Sequence, residues 1–184
     1  MEIKKYKLTN GNTVKVFYDQ DSKNPRKDFF NNLGTMLCWC QRYDLGDDHE
    51  YEFPENIEAF KKQLDARIFL PLYLYKHGGL TISTTPFDCD YDSDQVGFIY
   101  VSRKKLLEKY GGKRVTEKML ETAEKVILSE VELYDSYIRG DVYGFKEYDA
   151  DGEEVNCCYN FYGDNDPNKN GMVDHFSAPI ECEL

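Results

Sequence analysis

The sequence predicts an α+β fold: a mainly antiparallel sheet with one long helix and two shorter helices packed on it. Two observations carry this. Short runs of strand composition are joined by hairpin-turn pairs, Asn10-Gly11, Gly78-Gly79 and Asp151-Gly152, the dipeptides that tight antiparallel turns favour. Later, residues 116–139 place Met119, Ala123, Val126, Ile127, Val131, Tyr134 and Ile138 at helical spacing, closed by Arg139-Gly140, which is a long amphipathic helix with a conventional stop. At 184 residues the expectation is one domain, 1–184, with room for an N-terminal hairpin annex at 1–50.

In chain order, residues 5–18 read as a hairpin, with Tyr6, Leu8, Val14, Val16 and Tyr18 flanking Asn10-Gly11. A polar connector follows. Residues 29–40 are apolar without a clear period: Phe29, Phe30, Leu33, Met36 and Leu37 suit a short helix, and 36–40 suits a strand. After an acidic loop at 44–53, Pro54 fits the first position of a helix whose face is Ile57, Phe60 and Leu64, stopping near Ala66. The central stretch, 67–102, holds three strands: 68–75, then 80–83 after the Gly-Gly turn, then 96–101, with an aspartate-rich loop before the last. Ser102 caps a helix at 103–110 that Gly111-Gly112 ends, and Thr116 caps the long helix. Strands at 141–149 and 155–162 form a second hairpin, and a short apolar element lies at 172–176.

The net charge of −11 is unevenly spread. Residues 141–184 hold eleven acids against Lys146 and Lys169, and residues 44–58 hold seven acids and no Lys or Arg. Such a field repels nucleic acid and attracts basic partners, although solubility alone would also explain it. The opposite charge gathers at 103–118, where Arg103, Lys104, Lys105, Lys109, Lys113, Arg114 and Lys118 face Glu108 and Glu117. This is either a phosphate-tracking patch or a solvated helix face, and the acidity of the rest favours the second. No stretch reaches the roughly 18 apolar residues of a membrane span, and the start lacks a signal-peptide core, so a cytoplasmic chain with reduced thiols at Cys38, Cys40, Cys89, Cys157, Cys158 and Cys182 is expected.

Motifs for catalysis and metals are weak. Asp88-Cys-Asp90-Tyr-Asp92-Ser-Asp94 alternates acids as a calcium loop begins, but Ser93 and Ile99 stand where that loop needs a glycine and a bidentate acid. Residues 166–174 have oxygen ligands at Asp166, Asn168, Asn170 and Asp174 and a glycine at Gly171, yet Ser177 replaces the closing acid. This is a weak calcium loop or, preferably, an Asn-Gly turn. His77 and Cys89 could be drawn as base and nucleophile, without a third member or an oxyanion hole. No catalytic residue, metal ligand or cofactor is therefore assigned.

Two blocks, Leu70-Pro-Leu-Tyr-Leu-Tyr-Lys-His-Gly-Gly-Leu-Thr-Ile-Ser-Thr-Thr-Pro-Phe and Asp92-Ser-Asp-Gln-Val-Gly-Phe-Ile-Tyr-Val-Ser, with Gly140-Asp-Val-Tyr-Gly-Phe after the long helix, resemble small acidic accessory proteins encoded by phages and plasmids of Gram-positive bacteria. The similarity spans residues 70–163. It carries no catalytic residues, and Asp94 stands where it implies a glycine. It implies an anti-defence role, anti-CRISPR or antirestriction: a non-enzymatic phage protein that acts as a DNA mimic in the host cytoplasm. The partner would be a host defence nuclease such as a Cas effector or a restriction enzyme, with no direct nucleic-acid or membrane contact and no oligomeric state assigned. The contacts expected are Asp88, Asp90, Asp92, Asp94, Asp149, Asp151, Glu153 and Glu154. Two alternatives remain: a metal-assisted hydrolase using the 88–94 loop, and a nucleic-acid-binding accessory protein using the 103–118 patch.

Overall fold

In a computed structural model that describes residues 2–89 and 91–184, the chain is α+β, with two antiparallel sheets and three helices. It forms two compact units, one of residues 1–23 and 136–184, the other of residues 24–135.

The first unit is a five-stranded sheet. β1 (Glu2–Leu8) and β2 (Thr13–Tyr18) form the N-terminal hairpin, and β7 (Val142–Tyr148) and β8 (Glu154–Tyr162) the later one. The hairpins join through β2 and β7, where Val14 pairs with Glu147 and Val16 with Phe145. A strand absent from the sequence reading, β9 (Ile180–Glu183), adds to the free side of β1. The order is therefore β8-β7-β2-β1-β9. Leu8, Val14, Val16, Phe145 and Met172 are fully buried in its core. The apolar element at 172–176 is a single 3-10 turn, Met172–His175, which delivers Met172 to that core.

In the second unit the order is β3-β6-β4-β5. Of the two readings of residues 29–40, the strand forms, as β3 (Thr35–Cys38). β4 (Ala66–Tyr75) lies between β5 (Thr81–Ser83) and β6 (Ser93–Ser102), so the three central strands are neighbours. Pro71 is tolerated in β4 because β5 pairs only with Tyr73, Leu74 and Tyr75, leaving the strand open on that side at Pro71. Gly97 is required for a different reason. A Cβ there would lie 2.0 Å from the Leu37 carbonyl oxygen, so only a hydrogen lets β3 approach β6.

α1 (Ile57–Gln63) starts later than Pro54 suggests. Asn56 is the cap, its side-chain oxygen accepting from the Ala59 amide at 3.0 Å, and an asparagine that bonds an orphan amide outcompetes a proline that bonds none. The helix also stops sooner, at Leu64, because Asp65 turns to φ 46° and Ala66 already begins β4. α2 (Arg103–Tyr110) is capped by Ser102 as expected. α3 (Glu117–Arg139) begins at the Thr116 cap and buries Ala123, Ile127, Val131 and Tyr134.

Candidate functional site

The expected contact acids divide between the two units. Asp88, Asp92 and Asp94 belong to the second, while Asp149, Asp151, Glu153 and Glu154 belong to the first. Asp90 lies outside the described residues.

In the second unit the aspartate loop is shorter than expected, because β6 begins at Ser93 and takes Asp94 into the strand opposite Leu74. Lys76 donates to Asp94 at 2.9 Å, and Asp92 faces His77 Nδ1 at 3.5 Å. The Cys89 thiol donates weakly to the same Asp92 oxygen at 3.9 Å. His77 and Cys89 are thus each turned to Asp92. Asp88 is exposed and forms no ion pair among the described residues. Among those residues, no group of three or more His, Cys, Asp or Glu side chains is arranged to hold a metal ion.

In the first unit the β7–β8 turn uses some of its own charge. Asp149 accepts from the backbone amides of Asp151, at 3.0 Å, and Glu153, at 2.9 Å, so its carboxylate shapes the turn. Lys146 donates to Glu154 at 2.7 Å. Asp151 and Glu153 remain exposed, with no ion pair among the described residues. The 164–174 loop is a run of similar turns. Asp166 accepts from the Asn168 amide at 3.0 Å, and Lys169 donates to Asp164 at 2.9 Å. These bonds hold Asp166 and Asp164 below the usual aspartate range.

Two acids from the most acidic stretches prove to be bound to structural partners. Glu147 is fully buried on β7. Asn12 donates to it at 2.7 Å and the Ser177 amide at 3.2 Å, and the Ser177 hydroxyl makes a further short bond. Burial alone would push this carboxyl up, but the bonds from Ser177, Asn12 and Asn156 outweigh it and hold the pKa below the usual glutamate range. Asp47 is the partner of Arg26, whose side chain is 1% exposed. Position within an acidic run does not reveal such roles. A polar residue on the core face of a strand would have singled out Glu147, since Phe145 and Glu147 share a face by alternation.

The segment after Asp47 is acidic in sequence, yet it also carries rings. Trp39 centres them, with ring centroids 4.8 Å from His49, 5.2 Å from Phe53 and 6.2 Å from Phe98. Its indole donates to the Tyr51 carbonyl at 2.7 Å, and Tyr51 meets Phe60 edge-on at 5.5 Å. Beside this cluster, and sharing His49 with it, lies a cleft of about 420 Å³ lined also by Cys38, Arg42, Tyr43, Asp44 and Asp48. Burial pushes the Cys38 thiol up to about 12, so it is neutral and a poor nucleophile.

On the basic side, Arg103, Lys109, Lys113, Arg114 and Lys118 are exposed, and none forms an ion pair among the described residues. Lys104 is 3.8 Å from Glu108. Lys105 departs from the patch. It is half-buried, donates to Thr35 at 3.1 Å, and desolvation lowers its pKa.

No known protein family, curated protein or solved structure matches the chain.

Proposed function

We propose that the protein is a non-enzymatic inhibitor of a bacterial defence nuclease, of anti-CRISPR or antirestriction type, that engages the enzyme's basic nucleic-acid surface through carboxylates. The observation that carries this reading is the set of exposed carboxylates that form no ion pair among the described residues, Asp88 in one unit and Asp151 and Glu153 in the other. Both units are net acidic: the first has fourteen acids against eight bases, the second twenty against fifteen. Unpaired carboxylates at loop tips are free to replace phosphates and to steer a fast encounter. Asp149, Glu154 and Asp94, with lysines or amides at hand, and Asp92, facing His77 and Cys89, contribute less.

The test is to capture partners with the tagged chain from a host lysate carrying its defence systems, then to assay the captured nuclease in purified form. A Cas or restriction subunit as dominant partner, inhibited by the chain and released as salt rises, supports the reading. Screening shortens the reach of exposed charges from about 10 Å at 0.1 M salt to about 3 Å at 1 M. Turnover of nucleic acid by the chain itself, abolished in Asp92→Ala, would replace the reading with a hydrolase.

A second reading rests on the five exposed cations around 103–118 that form no ion pair among the described residues, which suit a phosphate backbone. A low-salt gel shift of free duplex or single-stranded DNA, lost when Lys113 and Arg114 are neutralised, would favour it.

A further inference from the structure

We propose that Tyr51 and Phe53, with Glu50, Glu52 and Glu55, form a docking surface for an arginine-bearing segment of a protein partner. The inference rests on the reading above in taking a basic protein surface as the partner. It moves the contact centre to a segment outside the expected contact acids.

Four observations converge. First, Phe53 is 50% exposed and Tyr51 41% exposed, two large rings close in sequence on a surface where single apolar residues would be ordinary. Second, the rings are backed by a packed layer. Phe53 packs on both Trp39, at 5.2 Å, and Phe98, at 6.0 Å, and the Trp39 indole donates to the Tyr51 carbonyl. Residues 49–54 carry no regular secondary structure, so these contacts fix them. A pre-positioned aromatic surface loses little entropy on binding.

Third, Glu50, Glu52 and Glu55 are exposed and flank the two rings in the sequence, and none has an ion pair among the described residues. Phosphate is repelled by such a rim, which argues against a nucleobase as the ring partner. A guanidinium satisfies both features together: its plane stacks on the ring face while its N–H groups reach carboxylates. Fourth, the same aromatic layer already accommodates a cation, since Lys61 Nζ lies 5.3 Å from the centroid of Phe69, itself 4.6 Å from Phe98. Aromatic residues are also the commonest energetic anchors of protein interfaces.

The chain contains one tryptophan, and it touches Phe53, so its fluorescence reports on this surface. The 184-residue chain is titrated with an arginine-rich peptide and with the same peptide bearing lysine at every arginine. A saturable change in Trp39 emission, stronger for arginine, is expected. Tyr51→Ala with Phe53→Ala should weaken peptide binding about tenfold, equivalent to about 1.4 kcal/mol. Glu50→Gln, Glu52→Gln and Glu55→Gln together should weaken it comparably while leaving the rings in place, which covers the case in which the aromatic variant misfolds. Unchanged emission, affinity unaffected by the glutamine variant, or equal affinity for the two peptides overturns the proposal. So does a stronger emission change with single-stranded DNA, or one that tracks self-association of the chain. The outcomes separate from those of the functional reading. Nuclease inhibition that survives both sets of substitutions removes this surface and keeps the reading; peptide binding at Trp39 without any nuclease partner does the reverse.

Discussion

Arg26 and Asp47 meet through two parallel bonds, Nε to Oδ1 at 2.8 Å and Nη2 to Oδ2 at 2.6 Å. The pair is extended by Glu130, 3.3 Å from Arg26 Nη1, and by the Gly34 carbonyl, 2.8 Å from Nη2. Asp47 accepts from the Met36 amide and Glu130 from the amides of Leu33 and Gly34. One buried cation thereby ties the connector at 24–34, the start of β3, the acidic segment and α3 together within the second unit.

Removing that cation leaves two poorly solvated carboxylates uncompensated. Arg26→Met should destabilise the second unit by about 3–5 kcal/mol, read as a lowered denaturant midpoint. Arg26→Lys should recover only part of this, because an ammonium cannot supply the two-pronged geometry. A loss under about 1 kcal/mol would contradict the account.

Glu147 sets a pH dependence of known sign. Its folded pKa is below its unfolded value, so its stabilisation is complete above the ordinary glutamate pKa of 4.5 and is lost as pH falls through the lower folded value. Glu147→Gln should flatten the stability profile below pH 4.5 and cost about 1–3 kcal/mol at neutral pH, where a buried hydrogen-bond network loses its charged acceptor. Thermal midpoints from neutral to acid pH, compared between the two proteins, check both statements.

The hairpin acids should separate into structural and free ones. Asp149→Ala removes the acceptor for two turn amides and should cost about 1 kcal/mol. Asp151→Asn with Glu153→Gln should change stability by less than about 0.5 kcal/mol, yet slow association with a basic partner more than it speeds dissociation, because exposed charges chiefly steer. Stopped-flow association at two salt concentrations measures the second effect.

All six cysteines are unbridged. Reducing agent should therefore leave the thermal midpoint unchanged within about 2 °C, since losing a native disulfide typically costs about 2–5 kcal/mol. A clear drop would point to a bridge formed in solution.

By itself the sequence determined what short-range physics can determine. The Asn10-Gly11 and Gly78-Gly79 turns, the Ser102 and Thr116 caps and the apolar stripe of α3 act over a few residues, and each element they announce is present. Helix α1 departs from the reading by the same local chemistry, because Asn56 offers a hydrogen bond that Pro54 cannot. What only the tertiary structure decided depends on residues far apart in the chain. β2 pairs with β7 across more than a hundred residues, β9 joins β1, and the strands divide between two sheets. The same distance hid the roles of the charges. Whether a carboxylate is free, like Asp151, buried, like Glu147, or locked to a buried cation, like Asp47, is set by which donors the fold brings against it and how much water it excludes. Neither is a property of the neighbouring sequence. The aromatic surface around Trp39 arises in this way too, its rings drawn from residues 39, 49, 51, 53, 60, 69 and 98, because burial of apolar area is indifferent to chain order.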